Sequence, residues 1–270
     1  MVSFSPCKIN LGLNIISKRP DGYHNILTCF YPVPWNDILE IVPAKNFSFF
    51  VSGDSVPGVA KNNLCVKAHE ILKKDFDLTP VSIHLHKIIP TGAGLGGGSS
   101  DAAYTLRILN RIFDLALSHE TLKGYAALLG SDCAFFIEDK PMLGSERGAV
   151  LSDVSLTLKG KYLVIVKPEV HISTAEAYAN TSPRHPKIEL RKILEKHSIR
   201  EWKELLKNDF EDSLFKQFPI IEDIQQKLYA LGAAYASMSG SGSAVFGIFE
   251  NAVDLKQDFQ GLTYWSGYLH

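Results

Sequence analysis

The sequence predicts an α+β protein of two domains. Three observations carry that reading. From the N-terminus to Val51 the chain alternates apolar and polar residues as strands do. A glycine-rich loop then joins a strand to an amphipathic helix. Beyond Leu151–Gly160 a second series of strands and helices starts with a buried-type strand, Tyr162–Val166. At 270 residues the chain is long enough for two ordinary domains, placed at 1–155 and 156–270.

The elements follow in order. Val2–Ile16 reads as a strand or a bent pair, with Lys8, Asn10, Gly12 and Asn14 on one face and Ile9, Leu11, Leu13 and Ile15 on the other. The turn Arg19-Pro20-Asp21-Gly22 follows. Tyr23–Val33, Asp37–Val42 and Phe47–Val51 read as three more strands. Asn63–Lys74 has helical spacing through Leu64, Ala68, Ile71 and Leu72. The strand Val81–Ile89, the glycine loop and a helix from Asp101 to Phe113 come next. Ser118 caps a further helix that ends at Gly130, and Gly144–Val150 turns into a strand. In the second domain Thr174–Asn180 is a short helix and Lys187–Lys207 a charged pair of helices. Pro219–Leu231 starts with proline and stops at Gly232. Ala234–Met238 and Ala244–Glu250 are strands joined by Ser239-Gly240-Ser241-Gly242-Ser243. Ala252–Phe259 is expected to be a last helix and Leu262–Tyr268 a last strand.

Composition excludes several function classes. A formal net charge of -1 leaves no basic surplus for non-specific nucleic-acid binding, so no nucleic-acid partner is expected. No apolar run approaches the roughly 20 residues that span a bilayer. The N-terminus enters a strand-like segment with no charged leader or cleavage signal, so a cytoplasmic protein without a membrane partner is expected. Cys7, Cys29, Cys65 and Cys133 form no C-x-x-C pair, which argues against zinc. His84 and His86 share a strand face, but no third metal ligand stands at suitable spacing.

The loop Pro90-Thr91-Gly92-Ala93-Gly94-Leu95-Gly96-Gly97-Gly98-Ser99-Ser100 carries the chemistry. Glycines let a backbone turn sharply and approach a ligand closely, and a helix N-terminus offers unpaired N–H groups to an anion. Together they make a phosphate cradle. Gly92-x-Gly94-x-x-Gly97 matches the dinucleotide fingerprint in letters only, because no second strand ending in an acid follows. No Gly-Lys-Ser/Thr ending makes it a Walker loop, and a protein-kinase glycine loop joins two strands. A turn that merely lets a helix pack closely is the alternative. The Ser99 and Ser100 hydroxyls stand where they can bind a phosphate oxygen or a metal.

That loop resembles the ATP-binding motif of the GHMP kinases, which include galactokinase and the homoserine, mevalonate and phosphomevalonate kinases. Ser239-Gly240-Ser241-Gly242-Ser243-Ala244-Val245-Phe246 resembles the family's third motif. Pro6-Cys7-Lys8-Ile9-Asn10-Leu11-x-Leu13 with Arg19-x-Asp21-Gly22-Tyr23-His24 is similar to the N-terminus of the branch that acts on a cytidyl diphosphate. The likeness runs essentially end to end. It implies an N-terminal domain like ribosomal protein S5 domain 2 and a ferredoxin-like C-terminal domain. It also implies ATP as co-substrate, Mg²⁺, and a small-molecule cytidyl diphosphate as acceptor, with oligomeric state left open.

The resemblance assigns roles to residues. Pro90, Gly92, Ala93, Gly94, Leu95, Gly96, Gly97, Gly98, Ser99 and Ser100 hold ATP. Asp132 takes the proton of the acceptor hydroxyl, and Lys8 supplies positive charge. Tyr23 stacks on the cytosine, His24 hydrogen-bonds it, and Tyr178 closes the other side of the sandwich. Asn10 and Thr174 touch the diphosphate or the alcohol end. On pattern alone Lys8 reads equally as part of a solvated strand face, and Asp132 more readily as an N-cap. Two positions depart from the family pattern: Cys7 stands for a usual Ala, and Asp101 for an Asn seen in some members. Within the family, mevalonate or homoserine kinase is the rival reading. From another class comes a non-catalytic nucleotide-binding module, which would need no Lys8 and Asp132 together.

Overall fold

The first strand sets the frame. β1 runs over Val2–Lys18 and pairs with β2, His24–Pro43. β3 is Ser48–Gly53, α1 Leu64–Asp75, β4 Val81–Lys87, α2 Gly97–Ile112, α3 His119–Leu129 and α4 Phe135–Glu138. β5 is Met142–Ser145, β6 Val150–Asp153, β7 Tyr162–Lys167, α5 Thr174–Ala179, α6 Leu190–Lys196 and α7 Trp202–Leu205. α8 Glu211–Gln217, α9 Pro219–Ala230, β8 Tyr235–Met238, β9 Val245–Phe249 and β10 Thr263–Tyr268 complete the chain. This computed structural model describes residues 1–179 and 181–270, so Asn180, the last residue of the helix expected from Thr174, lies outside the described residues.

Two compact units interleave along the chain. The first comprises Met1–Cys7, Trp35–Thr91 and Gly96–Lys140, the second Lys8–Pro34, Gly92–Leu95 and Pro141–His270. The linear division into 1–155 and 156–270 is a different partition and remains a proposal about sequence modules.

In the first unit β4 pairs antiparallel with β2 over Ile38–Pro43 and parallel with β3. α1 is started by Asn63, whose side chain accepts from Cys65 N at 2.9 Å. It buries Cys65, Val66, Ala68 and Leu72 and packs on α2. The two strands expected at Tyr23–Val33 and Asp37–Val42 are one continuous strand, β2. Pro32 and Pro34 do not break it. On the edge facing β5 and β4 they fall between the pairing at Thr28–Phe30 and the pairing from Ile38, where a missing N–H costs neither ladder a bond, while β1 pairs along the other edge. Gly130 closes α3 in extended backbone at φ 174°, not in the left-handed turn expected of a terminal glycine. His84 and His86 both hydrogen-bond Ser52 of β3, at 2.8 and 2.9 Å.

In the second unit β5 and β6 form a hairpin, of which the sequence showed only the turn and second strand. The four-stranded antiparallel sheet has the order β10-β7-β9-β8. Counted along the chain that is 4-1-3-2, the ferredoxin-like order. α9 starts with Pro219 at its first turn and buries Ile221, Ile224, Gln225 and Leu228, a single helical stripe. That stripe packs with Leu13, Ile15, Val164, Val166 and Val245 in one core. The helix expected at Ala252–Phe259 is absent, and turns connect β9 to β10. Leu255 and Phe259 still enter the core, so their helical spacing reflects burial from a turn. α8 was not anticipated.

Candidate active site

The glycine loop explains its own composition. Gly92, Gly94 and Gly96 have φ of 68°, 76° and 72°, left-handed values at alternate positions that side chains resist. α2 begins at Gly97, not at Asp101 as the sequence suggested. Gly97, Gly98, Ser99 and Ser100 are therefore its first turn. Gly96 caps it with no side-chain hydrogen bond, which leaves the first N–H groups of the helix for an anion. A Cβ on Gly98 would meet nothing within 4 Å, so that turn is open to a ligand.

Within the first unit, Asp132 stands in the turn between α3 and α4 and is half-buried. Its neighbour Cys133 is buried, with Ser99 close enough to its thiol to ease the effect of burial on it. Burial pushes the Cys133 thiol up to about 12, so it stays a neutral anchor. Ser100 is buried, and its hydroxyl has no hydrogen-bond partner among the described residues. Asp101 is not exposed acid at a helix start. It is 2% exposed, bonded by Ser5 at 2.6 Å and paired with Lys87 at 3.0 Å.

Within the second unit, both faces of β1 are buried from Ser5 to Leu13, so Lys8 and Asn10 do not lie on a solvated face. Lys8 is 3% exposed. Its Nζ donates to Asn10 Oδ1 at 2.5 Å and to Gly94 O at 2.7 Å, and it lies 5.6 Å from the Phe30 ring centroid. Asn10 Nδ2 donates to Thr28 Oγ1, which donates to Gly12 O, so Asn10 holds Lys8 with its other end anchored. Ser239 Oγ donates to Gly94 O as well, at 2.9 Å. A Cβ on Gly94 would lie 2.0 Å from Ser239 O. Gly94→Ala is therefore expected to open this contact and lower kcat/KM for ATP by on the order of 100-fold; initial rates at varied ATP check it.

The aromatic residues are arranged differently from the expected sandwich. His24 stacks on Tyr178 with centroids 4.5 Å apart and planes 11° apart, and Tyr178 meets the Phe210 ring edge-on. Tyr23 is 57% exposed and carries the Arg147 guanidinium 4.3 Å from its centroid. Adjacent residues entering a strand face opposite ways, so only one of the two can pack on Tyr178. Burial, aided by the Lys18 charge, holds the His24 imidazole below its usual range. At neutral pH it is an uncharged ring. Thr174 opens α5 and is exposed, and Pro90 is buried at the loop entrance. Sequence reasoning did not single out Thr28, Arg147 or Ser239; Ser239 alone had a signal, its place in the serine-glycine segment.

The GHMP kinases N terminal domain family matches residues 63–139, and the GHMP kinases C terminal family matches residues 190–263. Fold and loop thus define a small-molecule kinase of the GHMP class. 4-Diphosphocytidyl-2-C-methyl-D-erythritol kinase of Bacteroides thetaiotaomicron is 52% identical over 254 residues, covering 93% of this chain and 92% of that one. The Cytophaga hutchinsonii enzyme of the same name is 51% identical over 250 residues, 92% of each chain. A crystal structure of 4-(cytidine 5'-diphospho)-2C-methyl-D-erythritol kinase has a TM-score of 0.85 at 30% identity, covering 99% of this chain and 98% of that one. This chain belongs to the 4-diphosphocytidyl-2-C-methyl-D-erythritol kinase family.

Proposed function

We infer that the chain transfers the γ-phosphoryl group of ATP to the 2-hydroxyl of 4-diphosphocytidyl-2-C-methyl-D-erythritol, a step in isoprenoid precursor synthesis by the non-mevalonate route. The observation that carries this is identity of 51–52% over more than nine-tenths of the chain to relatives of that name. The acceptor oxygen bonds to phosphorus, the bond from phosphorus to the ADP oxygen breaks, and Asp132 receives the hydroxyl proton. Phosphoryl transfer asks for positioning and charge stabilisation more than covalent chemistry. Gly92–Ser100 and the first turn of α2 cradle the triphosphate. Lys8, held by Asn10 and Gly94 O, supplies fixed positive charge to the transferring group.

Mg²⁺ would neutralise triphosphate charge in this reaction. It takes oxygen ligands, and the unpartnered Ser100 hydroxyl and its neighbour Ser99 fit that donor chemistry. Among the described residues no group of three or more His, Cys, Asp or Glu side chains is placed to hold a metal. Ser99 and Ser100 would then hold the ion beside the phosphates, with water among its other ligands.

For the base, Tyr23 offers an exposed ring and the His24–Tyr178 stack a second aromatic surface. Coupled ADP release should show turnover with the cytidyl substrate and none with mevalonate or homoserine. Turnover of either alcohol without turnover of the cytidyl substrate would overturn the reading. Tyr23→Ala is expected to raise KM for the cytidyl substrate roughly 5- to 150-fold, the worth of one stacked base, with KM for ATP little changed. Equal shifts for both would remove Tyr23 from base binding.

A further inference from the structure

The four residues directly before α8, Lys207-Asn208-Asp209-Phe210, have no part in phosphoryl transfer as described so far, yet several parts of the second unit converge on them. Asn208 is 1% exposed and its amide is engaged at both ends. Nδ2 donates to Met238 O and Gly240 O, each at 2.8 Å, and Oδ1 accepts from Phe210 N at 3.1 Å. One amide group thereby fixes two carbonyls at the entrance of the serine-glycine loop. Its backbone neighbours are locked to β1: Leu13 N donates to Lys207 O at 2.8 Å and Asp209 N to Leu13 O at 2.8 Å. Asp209 Oδ2 also accepts from Ile15 N at 2.9 Å. Glu211, one turn on, accepts from Met238 N and Ser237 Oγ, both at 2.8 Å.

Across the same loop lies the Lys8 anchor. Gly94 O accepts from both Lys8 Nζ and Ser239 Oγ. Ala244 N donates to Ala93 O at 3.1 Å. A Cβ on Gly240 would lie 3.1 Å from Gly94 O and 3.4 Å from Asn10 Oδ1. The place of the Ser239–Gly240 backbone therefore decides where Gly94 O points, and Gly94 O is one of the acceptors that hold the Lys8 ammonium.

We propose that Asn208 is a positioning residue for phosphoryl transfer: it sets the Ser239–Gly240 backbone against Gly94 and through that carbonyl holds Lys8. This rests on the reading of Lys8 as the cation that acts on the transferring group. Asparagine suits the position because only a side-chain amide offers two donors to the carbonyls and an acceptor to Phe210 N in so short a reach.

The test is a mutant cycle read in single-turnover rates of the full chain. Asn208→Ala should lower the rate of transfer by on the order of 100-fold, the cost of about 1 Å of misplacement, with KM for the cytidyl substrate within about two-fold. Ser239→Ala should lower it through the same carbonyl. The double variant should then be no slower than the slower single one, because both act through one node. Multiplicative losses would overturn the proposal, as would a rate unchanged in Asn208→Ala. Asn208→Asp keeps shape and volume should alanine fail to fold. It turns an oxygen toward two carbonyls and should regain rate on acidification, when its carboxyl can donate; a pH profile parallel to wild type counts against the proposal. Lys8→Met at the wild-type rate, with coupling between Asn208 and Ser239 intact, would refute the reading of Lys8 alone.

Discussion

Asp132→Ala is expected to lower turnover by on the order of 10²–10⁴-fold while ATP still binds. A positioned carboxylate that takes a proton in the transition state is worth about that much. The acceptor is an unactivated tertiary alcohol, whose proton needs a base in reach as the bond to phosphorus forms. Truncation should leave the fold intact. Asp132 is half-buried at a turn, whereas the residues after it, Cys133, Phe135, Phe136 and Ile137, are the ones in the core. α4, which follows directly, packs on α2 through residues the variant leaves unchanged, so α2 keeps its place. ATP affinity, measured by equilibrium titration, should change by less than about two-fold, since the cradle consists of glycine backbone and helix N–H groups. A wild-type rate in Asp132→Ala would remove this residue from the mechanism. Loss of ATP binding together with turnover would make it a structural residue of the loop.

Much of the fold was legible because local patterns agree with tertiary ones. Asn63 before Leu64 and Pro219 before Ile220 mark helix starts, and the alternation Ile9, Leu11, Leu13, Ile15 marks a buried strand face. What was not legible depends on contacts distant in sequence. Burial of Lys8 and Asn10 comes from what covers the second face of β1, and no alternation reports that. Continuity of β2 through Pro32 and Pro34 depends on where β1, β4 and β5 pair with it. The early start of α2 runs against the low helix propensity of Gly97 and Gly98, and close packing decides it: a Cβ on Gly97 would meet Ile89 at 3.1 Å and Lys87 Nζ at 3.2 Å. Asn208 and Glu211 are single polar residues in a charged stretch, distinguished only by carbonyls and amides some thirty residues on. The helix misread at Ala252–Phe259 is the converse: two buried residues at helical spacing satisfied a pattern that a turn also satisfies.

Lys87→Met should be strongly destabilising, because it removes the cation shared by two buried carboxylates. Lys87 Nζ bonds Asp37 Oδ2 and lies 3.0 Å from Asp101 Oδ2, with all three side chains at most 3% exposed. Burial pushes the Lys87 amine down, but Asp101 and Asp37 together more than reverse this and hold it above its usual range. Burial raises the Asp101 carboxyl to about 6, against the pull of Lys87 and with Asp37 adding to the rise. Breaking one partner out of a buried ionic group costs about 3–5 kcal/mol. For a chain of this size that is a fall of roughly 6–20 °C in Tm. The sign of the pH dependence follows from the raised Asp101 value. Such a group adds stability below its unfolded pKa of 3.8 and loses it as pH rises through about 6. Without Lys87 its folded pKa moves higher still, so acidifying the variant from pH 8 to pH 5 should recover part of the lost Tm, more than in wild type. The cluster also reaches the loop. Asp37 Oδ1 accepts from Ile88 N at 2.6 Å and Ile89 N at 2.8 Å, directly before Pro90, and Lys87 Nζ underlies Gly97. KM for ATP should therefore rise in Lys87→Met even at temperatures where the variant is fully folded. Lys87→Met/Asp101→Asn should regain Tm, since it leaves one buried charge where the single variant leaves two. A single variant as stable as wild type at pH 8 would count against the cluster as a source of stability; a proton already taken up by the carboxylates at pH 8 would instead show as a Tm that rises all the way from pH 8 to pH 5, because the folded state then holds a proton that the unfolded chain lacks.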